Sequence, residues 1–249
     1  MATTLRLDAV GRTHVGHVRR RNEDGLLPGR WLFAVADGLG GHVAGDIASA
    51  TVIEAMARHD RPVTTDELTD VLGRAIHDAA AALRRKVRSE PALSTMGTTV
   101  VALLWSGTTA VLGNVGDSRA YLMRDRSVPG SSLVRLTEDH TYRHLLAGAD
   151  RVPNLPDRLA RFLDGRADGR SADLTRLRLR PGDRILLCSD GLSSYVPEEL
   201  TEAATNSLDG PGAVADRLID LALGHGGHDN VTVIVIDVHQ TIDGPGVRA

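Results

Sequence analysis

The chain has 249 residues, of which 42% are hydrophobic and 24% charged, the profile of an ordinary globular protein that one core can serve. Twenty-nine Lys and Arg against 32 Asp and Glu give a formal net charge of −3, which argues against nucleic acid or an anionic membrane as partner. No apolar run reaches bilayer length, residues 1–6 lack a secretion-signal core, and the single cysteine, Cys188, excludes an intrachain disulfide, so a cytoplasmic location is expected.

Aromatic residues are 3% of the chain, so Val, Leu, Ile and Ala must build the core. Leu5–Val10 and Trp31–Ala36 read as strands, the second nearly all apolar and therefore buried on both faces. Asp46–Arg58 carries Ile47, Ala50, Ile53 and Met56 at helical spacing. Thr64 to Glu67 has the form of a capping box opening a long helix to about Arg88, with Leu68, Val71, Leu72, Ala75, Ile76, Ala79, Leu83 and Val87 on one stripe. Strands resume at Thr99–Trp105, Thr109–Val115, Arg119–Arg124 and Leu133–Leu136. The short turns between the first three predict antiparallel hairpins. Tyr142–Arg170 reads as partly helical, broken by Pro153 and Pro156. Leu174–Leu179 and Arg184–Cys188 are strands around a Pro-Gly-Asp turn. Pro197 suits a helix start, Ala213–Leu223 is another helix, and Asn230–Val238 is the closing strand. The pattern predicts an α+β domain with antiparallel sheet inside and helices outside.

The aspartates fall at one kind of place. Asp37, Asp117, Asp190 and Asp229 each stand where an apolar strand meets a turn. Taken singly, Asp-Gly at 37–38 or 190–191 is an ordinary turn dipeptide. Taken together, strands lying side by side would bring four carboxylates to one end of the core, where they repel and raise one another's pKa. Cations relieve that repulsion. Carboxylate and carbonyl donors, with no His or Cys at metal spacing, select Mg2+, Mn2+ or Ca2+ over zinc. Upstream, Arg19-Arg20-Arg21-Asn22-Glu23-Asp24 packs three guanidinium groups against two carboxylates. The segment reads either as a solvated charged turn or as an arginine fork for a phosphate beside acids that hold water.

Seven segments share a further pattern: Val18–Asp24; Val35–His42, with Ala44-Gly45 behind it; Met96–Thr99; Asn114–Ala120; Leu136–His140; Cys188–Leu192; and Asp229–Val233. In this order they resemble the bacterial type 2C metal-dependent protein serine/threonine phosphatases, the PPM family, over nearly the whole chain. The resemblance implies a four-layer α/β/β/α sandwich, two packed antiparallel β-sheets flanked by helices, with the metals at one end. It implies a catalytic domain over 1–240, a flap at about 142–170 and a short tail at 241–249.

Carried over residue by residue, Asp37 would bridge two metals and the Gly38 carbonyl would bind one of them. Asp190 and Asp229 would bind the other, and Asp117 with Asp190 would form a third site. Glu23 and Asp24 would orient water, and Arg19 would hold the substrate phosphate. The implied reaction is hydrolysis of phosphoserine and phosphothreonine by water or hydroxide activated at a binuclear Mn2+ or Mg2+ centre. Leu39 stands where eukaryotic members place a His after Asp-Gly, so His42 or a water is the general acid. The implied partners are phosphorylated Ser/Thr proteins, including a Ser/Thr kinase, with neither nucleic acid nor membrane, and the chain is expected to be a monomer. Arginines 143, 151, 158, 161, 166 and 170 make the flap either a solvated basic surface or a lip for acidic phosphopeptides. Three alternatives remain open: a phosphatase dedicated to one regulatory protein, a pseudophosphatase that binds phosphoproteins without turnover, and a Ca2+-stabilised structural domain.

Overall fold

Two antiparallel sheets form the middle of the molecule. The computed structural model describes residues 4–40, 44–124, 131–146, 149–151, 153–155, 158–164 and 172–241. In chain order the strands are β1 (Leu5–His14), β2 (Asp24–Pro28), β3 (Leu32–Leu39), β4 (Gly97–Thr98), β5 (Val100–Ser106), β6 (Thr109–Val115), β7 (Arg119–Met123), β8 (Leu133–Arg135), β9 (Asp173–Arg178), β10 (Arg184–Cys188) and β11 (Val231–Gln240). The helices are α1 (Ala44–Ala57), α2 (Leu68–Ser89), α3 (Tyr142–Leu145), α4 (Asp190–Ser193), α5 (Glu198–Thr205) and α6 (Pro211–Gly224). One sheet runs β1-β11-β10-β7-β8; the other runs β2-β3-β5-β6-β9, with β4 paired to β3.

The layers follow from period-2 alternation on strands buried on both faces. In β3, Phe33 and Val35 point into the space between the sheets, where they meet Val101, Leu103, Ile185, Leu187, Ile234 and Ile236. Leu32, Ala34 and Ala36 point the other way, onto Val52 and Met56 of α1 and Leu72 and Leu83 of α2. On the far side, Leu186, Cys188, Val233 and Val235 pack under Val214 and Leu218 of α6. Helices on both outer faces complete the expected α/β/β/α sandwich. Cys188 is fully enclosed, and burial pushes its thiol pKa up to about 12, the state of an inert core thiol.

Several boundaries differ from expectation for physical reasons. β1 continues to His14 because β11 pairs with it over ten residues, from Leu5↔Gln240 to His14↔Val231, although Gly11-Arg12-Thr13-His14 has no alternation of its own. β2 was not expected: it is short, contains Gly25 and ends in Pro28, which an edge strand tolerates. The capping box forms by half. The Thr64 N–H donates to Glu67 Oε2 at 3.0 Å, but the Thr64 hydroxyl also goes to that carboxylate, at 2.8 Å, and α2 starts only at Leu68. Among the described residues no helix is long and apolar enough to cross a membrane.

Candidate active site

Antiparallel register gathers the strand ends. Cys188 at the end of β10 pairs with Val233 near the start of β11 and with Arg119 at the start of β7. Asp190, Asp229 and Asp117 therefore lie at the same end of one sheet. In the other sheet Asp37 pairs with Asp24, and Gly38 pairs with Thr98 of β4. Arg19, Glu23, Asp37, Gly38, Asp117, Asp190 and Asp229 all line one open cleft of about 710 Å3. Asp24 lies next to that cleft, opposite Asp37 across the β2–β3 pairing. His42 lies outside the described residues.

Neither Asp-Gly pair is a hairpin turn. Asp37 and Gly38 lie inside β3, which runs on to Leu39, and Asp190 and Gly191 open α4. The glycines answer to close backbone approach instead. A Cβ on Gly191 would run into the Asn230 carbonyl, and one on Gly38 into the Gly45 carbonyl.

The cleft is held by residues whose partners are far away in sequence. Asn230 accepts the Glu23 N–H at 2.8 Å and donates to the carbonyls of Val15 and Arg21 at 2.9 and 2.8 Å, so it pins the segment carrying Arg19. Thr99 Oγ1 accepts the Asp37 N–H at 3.0 Å and bonds the Ser118 hydroxyl at 2.7 Å, next to Asp117. The Thr98 hydroxyl donates to the Asp37 carbonyl at 2.8 Å. The Ser189 hydroxyl donates to Asp24 Oδ2 at 2.8 Å while accepting the Thr232 N–H at 3.0 Å. His140 accepts the Gly116 N–H on Nδ1 at 3.0 Å, and Arg119 forks onto both oxygens of Asp139 at 3.0 and 2.7 Å. These residues stand inside the seven sequence segments, where nothing local assigns them a role. Ser118, Ser189 and Asn230 stand beside an acid in the sequence, but Thr98, Thr99 and Thr232 do not, and their partners come from other strands.

Electrostatics mark the same place. Asp24 is pushed up to about 7, first by burial and then by Asp190 and Asp229, against the hydrogen bond from Ser189. Asp37 is raised well above the carboxylate range by burial and by Asp24, Asp190 and Asp117. Asp117 is pushed up to about 7 by burial, then by Asp190 and Asp139. Asp190 is raised by burial and then by Asp229. Asp24 Oδ1 is buried without a partner. Arg19 Nη2 reaches Asp229 Oδ2 at 2.6 Å, and that hydrogen bond raises the pKa of Arg19.

The donor set fits a hard divalent cation: every acid is a carboxylate and the neighbouring neutral donors are carbonyls. Among the described residues no three His, Cys, Asp or Glu side chains close into a cage that could hold an ion alone. Mg2+-like ions keep several waters and bind through one or two carboxylates. An unpartnered buried oxygen and mutually raised pKa values are what such ions relieve.

One expectation needs correction. Arg19, Arg20 and Arg21 do not pack against the neighbouring Glu23 and Asp24. Arg19 reaches Asp229, Arg21 approaches Asp46 at 3.9 Å, and Asp24 is drawn into β2. The flap arginines are partly neutralised within the chain: Arg143 pairs with Asp150 at 2.6 Å and Arg161 with Asp173 at 3.0 Å. Pro156, Arg166 and Arg170 lie outside the described residues.

Known proteins resemble the chain over most of its length. The model of the family described as Protein phosphatase 2C matches residues 10–222. Serine/threonine protein phosphatase PstP of Mycobacterium tuberculosis is 40% identical over 242 residues, which are 94% of this chain and 46% of that protein. The chain thus spans about half the length of that relative. Serine/threonine phosphatase stp of Listeria monocytogenes is 33% identical over 251 residues, covering 94% of this chain and 96% of that protein. The crystal structure of the PstP catalytic domain in complex with 2 manganese ions superposes with a TM-score of 0.85 at 40% identity, covering 95% of this chain and 100% of that one.

Proposed function

The chain belongs to the protein phosphatase 2C family, and on that footing we propose that it hydrolyses phosphoserine and phosphothreonine in proteins. Two Mn2+ or Mg2+ ions, with a third beside them, are its cofactors. The observation that carries this reading is one cleft lined by Arg19, Asp37, Asp117, Asp190 and Asp229, in which burial and neighbouring carboxylates push the pKa values of Asp37, Asp117 and Asp190 up. Asp37, the Gly38 carbonyl, Asp190 and Asp229 are the ligands for the first two ions, and Asp117 with Asp190 serves the third. When bound, the ions supply Lewis-acid charge and lower the pKa of water.

The chain's own residues do the rest. Arg19 uses one nitrogen on Asp229, which orients the guanidinium and leaves its other N–H groups for phosphate oxygens. There it stabilises the charge that spreads over the equatorial oxygens during in-line displacement. Asp24 is bonded to Ser189 through one oxygen and has the other to accept from water, and Glu23 orients water beside it. His42 is the proton donor to the departing serine or threonine oxygen. If so, His42→Ala lowers kcat and moves the pH profile; full activity with an unshifted profile would give the role to water. The substrates include a Ser/Thr kinase, and the chain acts as a monomer.

The direct test is phosphate release from a phosphothreonine peptide, with and without Mn2+, by wild type and Asp190→Ala. Metal-dependent release that collapses in the variant supports the reading. No release with any metal from folded wild-type protein contradicts it and favours a binding role.

A further inference from the structure

The rim of the cleft carries a feature that the reaction leaves unused. Val18 is 63% exposed and Tyr195 39% exposed, two of the large hydrophobic side chains that the described surface leaves open to water. They flank the Arg19–Asp229 ion pair: Val18 precedes Arg19, and Tyr195 stands near Asp190 and Asp229, both of which raise its pKa. The Tyr195 ring lies on the imidazole of His228, the residue before Asp229, with centroids 5.1 Å apart and planes tilted by 33°. The backbone beneath is fixed, because the N–H groups of His17 and Val18 both donate to the Gly227 carbonyl, at 2.7 and 3.3 Å.

An isolated exposed hydrophobic residue needs no explanation. A pinned aliphatic–aromatic ledge beside a phosphate-binding arginine is different. Its residues adjoin two that line the cleft, Val18 beside Arg19 and His228 beside Asp229, and the Tyr195–His228 ring contact and the bonds to the Gly227 carbonyl hold it, so little ordering is lost when something covers it. A phosphorylated residue held by Arg19 would bring its chain neighbours over this surface. We infer that Val18, Tyr195 and His228 form a specificity subsite for a large apolar or aromatic residue directly flanking the phosphorylated residue of the substrate. The subsite rests on the phosphatase reading above. Tyr195 selects the substrate and takes no part in the chemistry.

The test compares phosphothreonine peptides carrying Phe, Leu, Ala or Arg at each flanking position, with p-nitrophenyl phosphate as a substrate that has no flanking residue. Wild-type kcat/KM should favour Phe and Leu over Ala at one flanking position by about three- to tenfold, the size of an aromatic contact. Tyr195→Ala should erase that preference, Tyr195→Phe should keep it and Val18→Ala should weaken it. All three variants should turn over p-nitrophenyl phosphate at the wild-type rate, which also shows that they fold. Equal wild-type rates for Ala and Phe, a preference for Arg, or a preference that survives Tyr195→Ala would overturn the subsite. Absence of p-nitrophenyl phosphate turnover by wild type would instead bring down the phosphatase reading and the subsite with it.

Discussion

Two groups of buried charge sit in this molecule, and they are built in opposite ways. On the helical side of one sheet, Arg184 is fully buried and forks onto Asp237 at 2.6 and 2.7 Å. Its remaining N–H groups reach the carbonyls of Thr205, Ser207 and Asp209 at 2.7–3.0 Å, so the guanidinium is satisfied within the chain. In the cleft, Asp24, Asp37, Asp117 and Asp190 face one another, and their pKa values rise. The first arrangement is complete as folded and serves structure. The second is incomplete as folded, and the missing element is positive charge.

Mutations should separate the two groups by what they damage. Asp190→Asn removes a proposed ligand; phosphate release in saturating Mn2+ should fall about a thousandfold, while a metal-free melt shows no loss of stability because a repelling charge is gone. Asp237→Ala should do the reverse. Leaving Arg184 buried and unpaired costs about 3–5 kcal/mol, read as a lower denaturation midpoint, with kcat of the folded fraction unchanged. Equal damage to stability by both substitutions would erase the distinction. Arg19→Ala, at the edge of the cleft, should raise KM for a phosphopeptide by about ten- to a hundredfold, the worth of a charged hydrogen bond, with a smaller change in kcat. An unchanged KM would remove Arg19 from phosphate binding.

A further effect is one of pH. Asp24 and Asp117 titrate near 7 in the fold, against about 4 in an unfolded chain. Between those values the folded state holds more protons, so this contribution is full below about pH 4 and is lost as pH rises through about 7. Metal-free protein should therefore melt at lower temperature at pH 8 than at pH 5. Mn2+ should flatten the slope, because it binds the deprotonated acids. A metal-free melting temperature that rises over this range would count against unpaired carboxylates in the cleft.

Much of this contrast was legible in the sequence. Asp37, Asp117, Asp190 and Asp229 were singled out by their place at strand ends, and the antiparallel pairing implied by short turns was enough to predict that they converge. The physical role of each glycine was not legible. Asp-Gly at 190–191 looks like a turn, whereas Gly191 answers to the Asn230 carbonyl, which β11 brings close. Asn230 itself was invisible as a clamp because its partner Glu23 is 207 residues away. The same limit hid β2, which exists because β3 offers Asp24–Pro28 an edge to pair with. The Arg184–Asp237 pair also escaped notice, since either residue alone reads as a surface charge on a strand.

The most direct measurement is calorimetric titration of metal-free protein with Mn2+, comparing wild type, Asp190→Asn and Asp237→Asn under conditions where all three are folded. Saturable uptake of at least two ions per chain by wild type and Asp237→Asn, with at least one ion lost in Asp190→Asn, is the predicted result. No saturable uptake by wild type, or the same uptake by all three, would contradict the claim that the cleft carboxylates are left unpaired to receive metal.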